Sequence, residues 1–115
     1  MTQPYSIQTN QAAKKVEMKV GGTFTPQDYQ NFVRDYGKMA SSIDAPAFTL
    51  EVDCREMDLL ASEEVDKLKG SFASYKETGF QKVIFVINTK QTIIKMQLGR
   101  VARDAGLSNH EIVTK

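Results

Sequence analysis

The chain has 115 residues with 15 Lys or Arg, 14 Asp or Glu and a formal net charge of +1, which predicts one domain and argues against a nucleic-acid partner. No apolar stretch is long enough to span a membrane, and the N-terminus lacks the order of a secretory signal. The lone cysteine, Cys54, cannot form an intrachain disulfide, so we expect a cytoplasmic protein.

The first twenty residues contain two candidate strands. Residues 1–4 are expected to form a polar tail before a domain that spans residues 5–115. Tyr5–Ile7 is a candidate edge strand, and Lys15–Val20 alternates with period two, which is typical of a half-buried strand. The glycine pair that follows predicts a plain turn, because the spacing of a phosphate-binding loop is absent.

A helix is predicted over residues 26–42. Thr25 can cap its N-terminus, Pro26 suits its first position, and Asp28 favours the positive end of the helix dipole. Its apolar stripe comprises Tyr29, Phe32, Val33, Tyr36, Met39, Ala40 and Ile43. Phe48–Val52 then alternates as a further strand, and residues 53–61 are expected to form a loop.

The second half of the chain predicts two more helices around a buried strand. Ser62 can cap the second helix, and Gly79 ends it. Val83–Ile87 is a continuous β-branched run, typical of a central strand covered on both faces. A third helix ends at Gly106, and a short last strand can follow at residues 112–113. The buried stripes comprise Val65, Leu68, Phe72 and Tyr75 in the second helix and Ile94, Leu98, Val101, Ala102 and Ala105 in the third.

Few side chains are placed for catalysis or metal binding. His110 is the only histidine and lies in a polar stretch, where a surface position is expected. Cys54 has little nearby to lower its pKa, so an inert, buried thiol is favoured. Asp53, Glu56 and Asp58 are spaced too loosely for a metal site and suit a solvated loop. We therefore predict no enzyme, no metal and no cofactor.

Three segments, Lys15–Thr25, Phe48–Asp53 and Val101–Leu107, follow one another in an order that resembles the STAS family of sulfate transporters and anti-sigma-factor antagonists. They are similar to that family's second strand with its helix start, its central strand and its closing helix. The resemblance covers about residues 5–113. It implies an α/β fold with a mixed four- to five-stranded sheet and three helices mainly on one side. It also implies a regulatory or scaffolding module whose partner is a protein, such as a regulator or a kinase-like anti-sigma factor.

The same resemblance bears on regulation. In anti-sigma-factor antagonists the loop before the second helix carries Asp-Ser-Ser-Gly, whose second serine is phosphorylated by a partner kinase. Gapless spacing places residues 61–64 there, so Ser62 keeps a hydroxyl one position early and Glu63 carries a permanent negative charge. Ser62 is therefore either a helix cap or a phosphosite. We expect a domain that phosphorylation does not switch.

The predicted partner-binding surface combines the loop before the second helix, the start of that helix and part of the third. Family members generally add a helix beyond the last strand, where this chain ends, so uncovered apolar surface is expected. Ile93 and Met96 are candidates for it unless they pack against the second helix. The full set is Met57, Leu59, Leu60, Ser62, Glu63, Glu64, Asp66, Ile93 and Met96. Two alternatives stay open: a domain that binds an anion or acyl group at the second helix, and a structural subunit of a homo-oligomer.

Overall fold

Strands and helices follow one another in the predicted order. The structure, a computed structural model, describes residues 4–21, 24–57 and 62–115. Within these residues the elements are the strands β1 (Tyr5–Asn10), β2 (Lys15–Gly21), β3 (Thr49–Glu56), β4 (Lys82–Ile87) and β5 (His110–Thr114) and the helices α1 (Pro26–Ser41), α2 (Ser62–Thr78) and α3 (Thr92–Asp104). A short 3-10 helix at Ala45–Ala47 leads from α1 toward β3.

The strands form one mixed sheet whose spatial order is the chain order, β1–β2–β3–β4–β5. β1 pairs antiparallel with β2, and the remaining pairs are parallel. The predicted α/β class with a mixed sheet is therefore confirmed. β3 is the middle strand, and the Val83–Ile87 run lies one place from it with a strand on either side. Right-handed crossovers between successive parallel neighbours place all three helices on the same face.

One face of the sheet carries the hydrophobic core. The parallel registers align Val16, Leu50 and Val83 across three strands, and each of these side chains is 0% exposed. Side chains alternate between the faces of a strand, so every second residue of β2, β3 and β4 points to this core. The same cluster contains buried residues of every helix: Phe32, Tyr36 and Met39 of α1, Phe72 and Tyr75 of α2, and Ile94, Leu98, Val101 and Ala102 of α3.

Aromatic contacts join the helices to each other and to the sheet. The ring centroids of Tyr36 in α1 and Tyr75 in α2 are 5.5 Å apart, and Phe72 stacks on Phe85 of β4 at 4.6 Å. The Tyr36 hydroxyl lies 2.8 Å from Thr78 Oγ1. These contacts hold α1 and α2 side by side over the sheet.

The opposite face of the sheet has no helix within the described part of the chain, and ion pairs lie across it. Lys15 of β2 pairs with Glu51 of β3, and Lys82 of β4 pairs with Glu111 of β5. Val86 also lies on this face, yet it is only 2% exposed. At this position β4 is buried on both faces, although helices cover only one.

The helix ends follow the predicted chemistry. Thr25 Oγ1 accepts a hydrogen bond from the Asp28 N–H at 3.1 Å, and the Asp28 carboxylate accepts one from the Thr25 N–H at 2.9 Å. This reciprocal capping box satisfies two backbone donors at the start of α1. Gly79 and Gly106 follow α2 and α3 with φ angles of +84° and +75°, which glycine adopts without steric cost.

Two details differ from the sequence predictions. Val33 was expected in the buried stripe of α1 but is 51% exposed, because it lies about 100° around the helix from Phe32. The loop expected to begin at residue 53 begins later, since β3 continues to Glu56. Cys54 extends the buried face of that strand by one alternation, which accounts for its greater length.

Candidate functional site

The candidate site lies at the edge of the sheet where the parallel strands end and the helices begin. Ligand crevices of α/β sheets form at this edge where the strand order reverses; here the strand order follows the chain order, so the edge offers adjacent loops and helix starts and not such a crevice. The connection from β3 to α2 and the turn from β4 to α3 are neighbours at this edge, since β3 pairs with β4. The predicted surface draws its residues from the first of these connections and from the starts of the two helices that follow them.

A buried glutamine fastens the two connections together. Gln91, directly before α3, is 8% exposed, and its Nε2 donates to the Cys54 carbonyl at 3.0 Å and to the Met57 carbonyl at 3.1 Å. Its Oε1 accepts from the Asn88 N–H at 2.8 Å. Gln91 was not predicted from the sequence, because nothing in a polar turn distinguishes a buried amide from an exposed one. Its position before a helix start was the only available signal.

Met57, one of the predicted surface residues, is held in place by backbone hydrogen bonds and by contact with the core. Its N–H donates to the Cys54 carbonyl at 3.0 Å, its carbonyl accepts from Gln91, and its side chain packs against the core while half-buried. Leu59 and Leu60, also predicted for the surface, lie outside the described residues. The structure therefore places one of the three loop residues, and places it in a fixed position.

The four predicted residues at the start of α2 are all exposed: Ser62, Glu63, Glu64 and Asp66. Lys76 marks the side of α2 that faces α3, since its Nζ lies 2.9 Å from where a Cβ on Gly106 would be. Steps of three and four residues back from Lys76 lead to Ser62, about 40° from it around the helix, whereas Asp66 lies about 80° from it. Lys67 marks the other side, 5.7 Å over the Tyr29 ring of α1, and the same steps lead from it to Glu64. The acids are thus divided between two sides of the helix.

Ser62 is the first residue of α2. The position before it, Ala61, lies outside the described residues. The capping role expected for Ser62 therefore stays a prediction, and so does its role as a phosphosite.

Ile93 and Met96 are the apolar part of the surface. They are 58% and 68% exposed, which excludes the alternative that both pack against α2. They are three residues apart on α3, so their side chains are neighbours. The β5 side of α3 is marked by Gly99, where an added Cβ would lie 3.9 Å from Ile112 Cδ1. Ile93 lies about 120° around the helix from Gly99, on the side of α2.

The two groups with nucleophile or base chemistry do not meet. Cys54 is 1% exposed, and burial raises the pKa of its thiol to about 12. His110 begins β5 at the opposite end of the sheet, where its Nδ1 lies 2.7 Å from the Leu107 carbonyl. The register aligns His110 with Leu50, two strands and four residues from Cys54, a separation of roughly 16 Å.

Other kinds of site find little support in residues 4–21, 24–57 and 62–115. No group of three or more His, Cys, Asp or Glu side chains there is placed to hold a metal ion. No helix there has both the length and the continuous hydrophobicity that a membrane span requires. A shallow, open groove of about 500 Å³ lies at the far edge of the sheet, lined by Thr49, Gln81, Lys82, Asn109 and His110.

Comparison of the chain with protein-family models, with curated proteins and with solved structures finds no match. The resemblance to STAS domains therefore stays a prediction. A function for this chain is therefore argued from the geometry of the predicted partner-binding surface.

Proposed function

We propose that this chain is a non-enzymatic regulatory or scaffolding module of STAS type that binds a protein partner through α3 and the start of α2. The observation that carries the proposal is the adjacent exposure of Ile93 and Met96, at 58% and 68%. Burial of a side chain of this size contributes about 1.5–3 kcal/mol. A partner that covers both side chains therefore gains a substantial part of an ordinary binding free energy from two residues.

The position of these residues supports the proposal. Gln91 precedes Ile93 by two residues and is bonded to the backbone of β3 and of the following loop. The start of α3 is therefore fixed before any partner arrives. A preformed surface loses less conformational entropy on binding, which favours affinity.

The acids of α2 add polar character to the border of the surface. Ser62 and Asp66 are exposed at the start of α2, the helix that packs beside α3. Polar groups around an apolar centre are the usual arrangement in protein interfaces. The same acids weigh against the alternative of an anion site at this helix, since Glu63 and Glu64 repel a negative ligand.

The placement of Cys54 and His110 supports a role without catalysis. A thiol nucleophile needs a lowered pKa and a base within hydrogen-bond reach. Burial raises the pKa of the Cys54 thiol, and the roughly 16 Å between the two residues prevents such a pair.

The test of the proposal is affinity capture with a matched control. The tagged protein is used as bait in lysate of its native cell, beside the Ile93→Asp/Met96→Lys double variant and a Val33→Asp variant. Val33 is a fair control because it is a comparably exposed apolar residue, at 51%, on α1. We expect a stoichiometric protein partner that the double variant loses and Val33→Asp retains. A partner retained by the double variant, or lost equally by both, contradicts the proposal.

The second part of the proposal is that phosphate at Ser62 is not the switch. Ser62→Ala is expected to leave partner capture unchanged and to alter stability by at most about 2 kcal/mol, the upper range for a cap. Mass spectrometry of the native protein, with capture repeated after phosphatase treatment, decides the matter. Phosphate at Ser62 whose removal changes capture would overturn this part.

A further inference from the structure

β5 forms one edge of the sheet, and its backbone polarity can be derived from two hydrogen bonds. The Val83 N–H donates to the Asn109 carbonyl at 3.1 Å, and the Lys115 N–H donates to the Ile87 carbonyl at 2.9 Å. In a parallel ladder alternate residues direct their N–H and C=O to the same neighbour. Residues 109, 111, 113 and 115 therefore point their backbone groups to β4. His110, Ile112 and Thr114 point theirs away from the sheet.

This edge lacks two of the usual protections against strand addition, a proline and a bulge. Natural edges are protected by proline, by bulges or by inward-pointing charges. The β4–β5 register has no shift, and residues 110–114 contain neither proline nor lysine. The outward-pointing backbone groups of β5 are therefore open to strand addition.

We propose that a second copy of this chain pairs its β5 with this one in antiparallel orientation, with the two-fold axis at Ile112. This register places Ile112 opposite its own symmetry mate and His110 opposite Thr114. Every outward-pointing residue of the strand then meets another, which allows about six new backbone hydrogen bonds. The interface is isologous, as in most homodimers.

The charges on β5 are compatible with this register. Glu111 faces Val113 of the second copy, and it already pairs with Lys82 of its own chain. Lys115 lies 3.7 Å from Glu51, also in its own chain. A register centred on Glu111 would instead set two glutamates directly opposite each other, which is destabilising. The charge pattern therefore disfavours the axis at Glu111, and only the axis at Ile112 pairs all three outward-pointing residues, His110, Ile112 and Thr114.

The two-fold axis of such a pair is perpendicular to the sheet. A continuous ten-stranded sheet results, with the helices of both copies on the same face. The α3 surface at Ile93 and Met96 would then occur twice on one side of the dimer. This pairing uses the edge of β5 and is independent of the proposed partner surface, so either proposal can fail alone.

Disulfide trapping tests the pairing. The Cα atoms of an antiparallel hydrogen-bonded pair are about 5.5 Å apart, which suits a disulfide. We expect Ile112→Cys in a Cys54→Ala background to form a covalent dimer under mild oxidation. Glu111→Cys in the same background is the matched control and is expected to stay monomeric, because its counterpart lies across from a different residue. Cross-linking of both variants alike, or of neither, overturns the proposal.

Sedimentation velocity gives a second, independent measurement. The wild-type chain is expected to show a monomer–dimer equilibrium between about 1 µM and about 1 mM. Ile112→Lys and Ile112→Glu are each expected to be monomeric, and their equimolar mixture to dimerise again, because opposite charges then meet at the axis. A wild-type monomer throughout this range contradicts the pairing. The pairing is also contradicted if the wild-type chain forms a dimer that dissociates in the Ile93→Asp/Met96→Lys variant but persists in the Ile112→Lys variant.

Discussion

The side-chain amide of Gln91 lies 3.0 Å from the carbonyl oxygen of Cys54, so a single buried polar group joins the start of α3 to the end of β3. These two residues are 37 positions apart in the chain. The contact therefore belongs to the tertiary structure alone. It also fixes the geometry of the surface that we assign to a partner.

Gln91→Leu is expected to lower the free energy of unfolding by about 1–3 kcal/mol. The substitution removes the donor to the Cys54 and Met57 carbonyls and the acceptor of the Asn88 N–H. The Cys54 carbonyl keeps its bond from the Met57 N–H, whereas the Met57 carbonyl and the Asn88 N–H lose the bond to Gln91. Urea unfolding followed by circular dichroism measures the change. Gln81→Leu serves as control, because the Gln81 side chain is exposed, and it is expected to stay within about 0.5 kcal/mol of wild type. Equal stability of the two variants contradicts the anchoring role.

Thr25→Ala is expected to cost about 0.5–2 kcal/mol, since it removes one half of the capping box on α1. Thr25→Ser keeps the acceptor oxygen. We expect it to lower the free energy of unfolding by only a few tenths of a kcal/mol. Chemical denaturation of both variants checks the prediction. An alanine variant as stable as the serine variant shows that the cap contributes nothing.

The buried phenol of Tyr36 is expected to lower the stability of the fold at alkaline pH. Burial raises the pKa of its phenol from the ordinary 10.0 to about 12, so the folded chain keeps a proton that the unfolded chain releases. The stability that this group contributes is complete below pH 10 and declines as the pH rises toward 12. Tyr36→Phe is expected to flatten this decline and to cost about 0.5–1.5 kcal/mol at neutral pH through the lost hydrogen bond to Thr78.

The matched variant for this pH dependence is Thr78→Val. It removes the same hydrogen bond at neutral pH but leaves the buried phenol in place. We expect it to retain a steep alkaline decline when unfolding is measured at pH 7 and pH 11. If Thr78→Val and Tyr36→Phe respond to pH alike, burial of the Tyr36 phenol is not the cause.

Cys54 is expected to be inert toward thiol reagents in the native protein. The side chain is 1% exposed, and burial holds the pKa of the thiol near 12, so little thiolate is present or accessible. Reaction with a chromogenic disulfide should follow global unfolding and become complete in concentrated urea. Rapid stoichiometric reaction in native buffer would show that the end of β3 opens locally.

The sequence predicted those features that depend on neighbours along the chain. Thr25 and Asp28 are three residues apart, and Gly79 and Gly106 act at single positions, so local chemistry was sufficient. Exposure of Ile93 and Met96 followed from their place off the apolar stripe of α3.

Other features depend on residues that are distant in the chain. Gln91 is buried because of carbonyl groups 34 and 37 residues earlier, and no local pattern reveals them. Val33 was misplaced because an apolar residue at the border of a helical stripe is buried only if a neighbour covers it. The free edge of β5 became visible only with the strand order, which periodicity does not supply.

The identity of spatial order and chain order in the sheet has a consequence for biosynthesis. As the chain leaves the ribosome, each new parallel strand finds its neighbour already formed, and no strand has to insert between two others. The sheet can therefore grow by addition at one side only, with every crossover helix closing over the strands that precede it. β5 is the last of these strands to be added, and it pairs with a neighbour, β4, that is already in place.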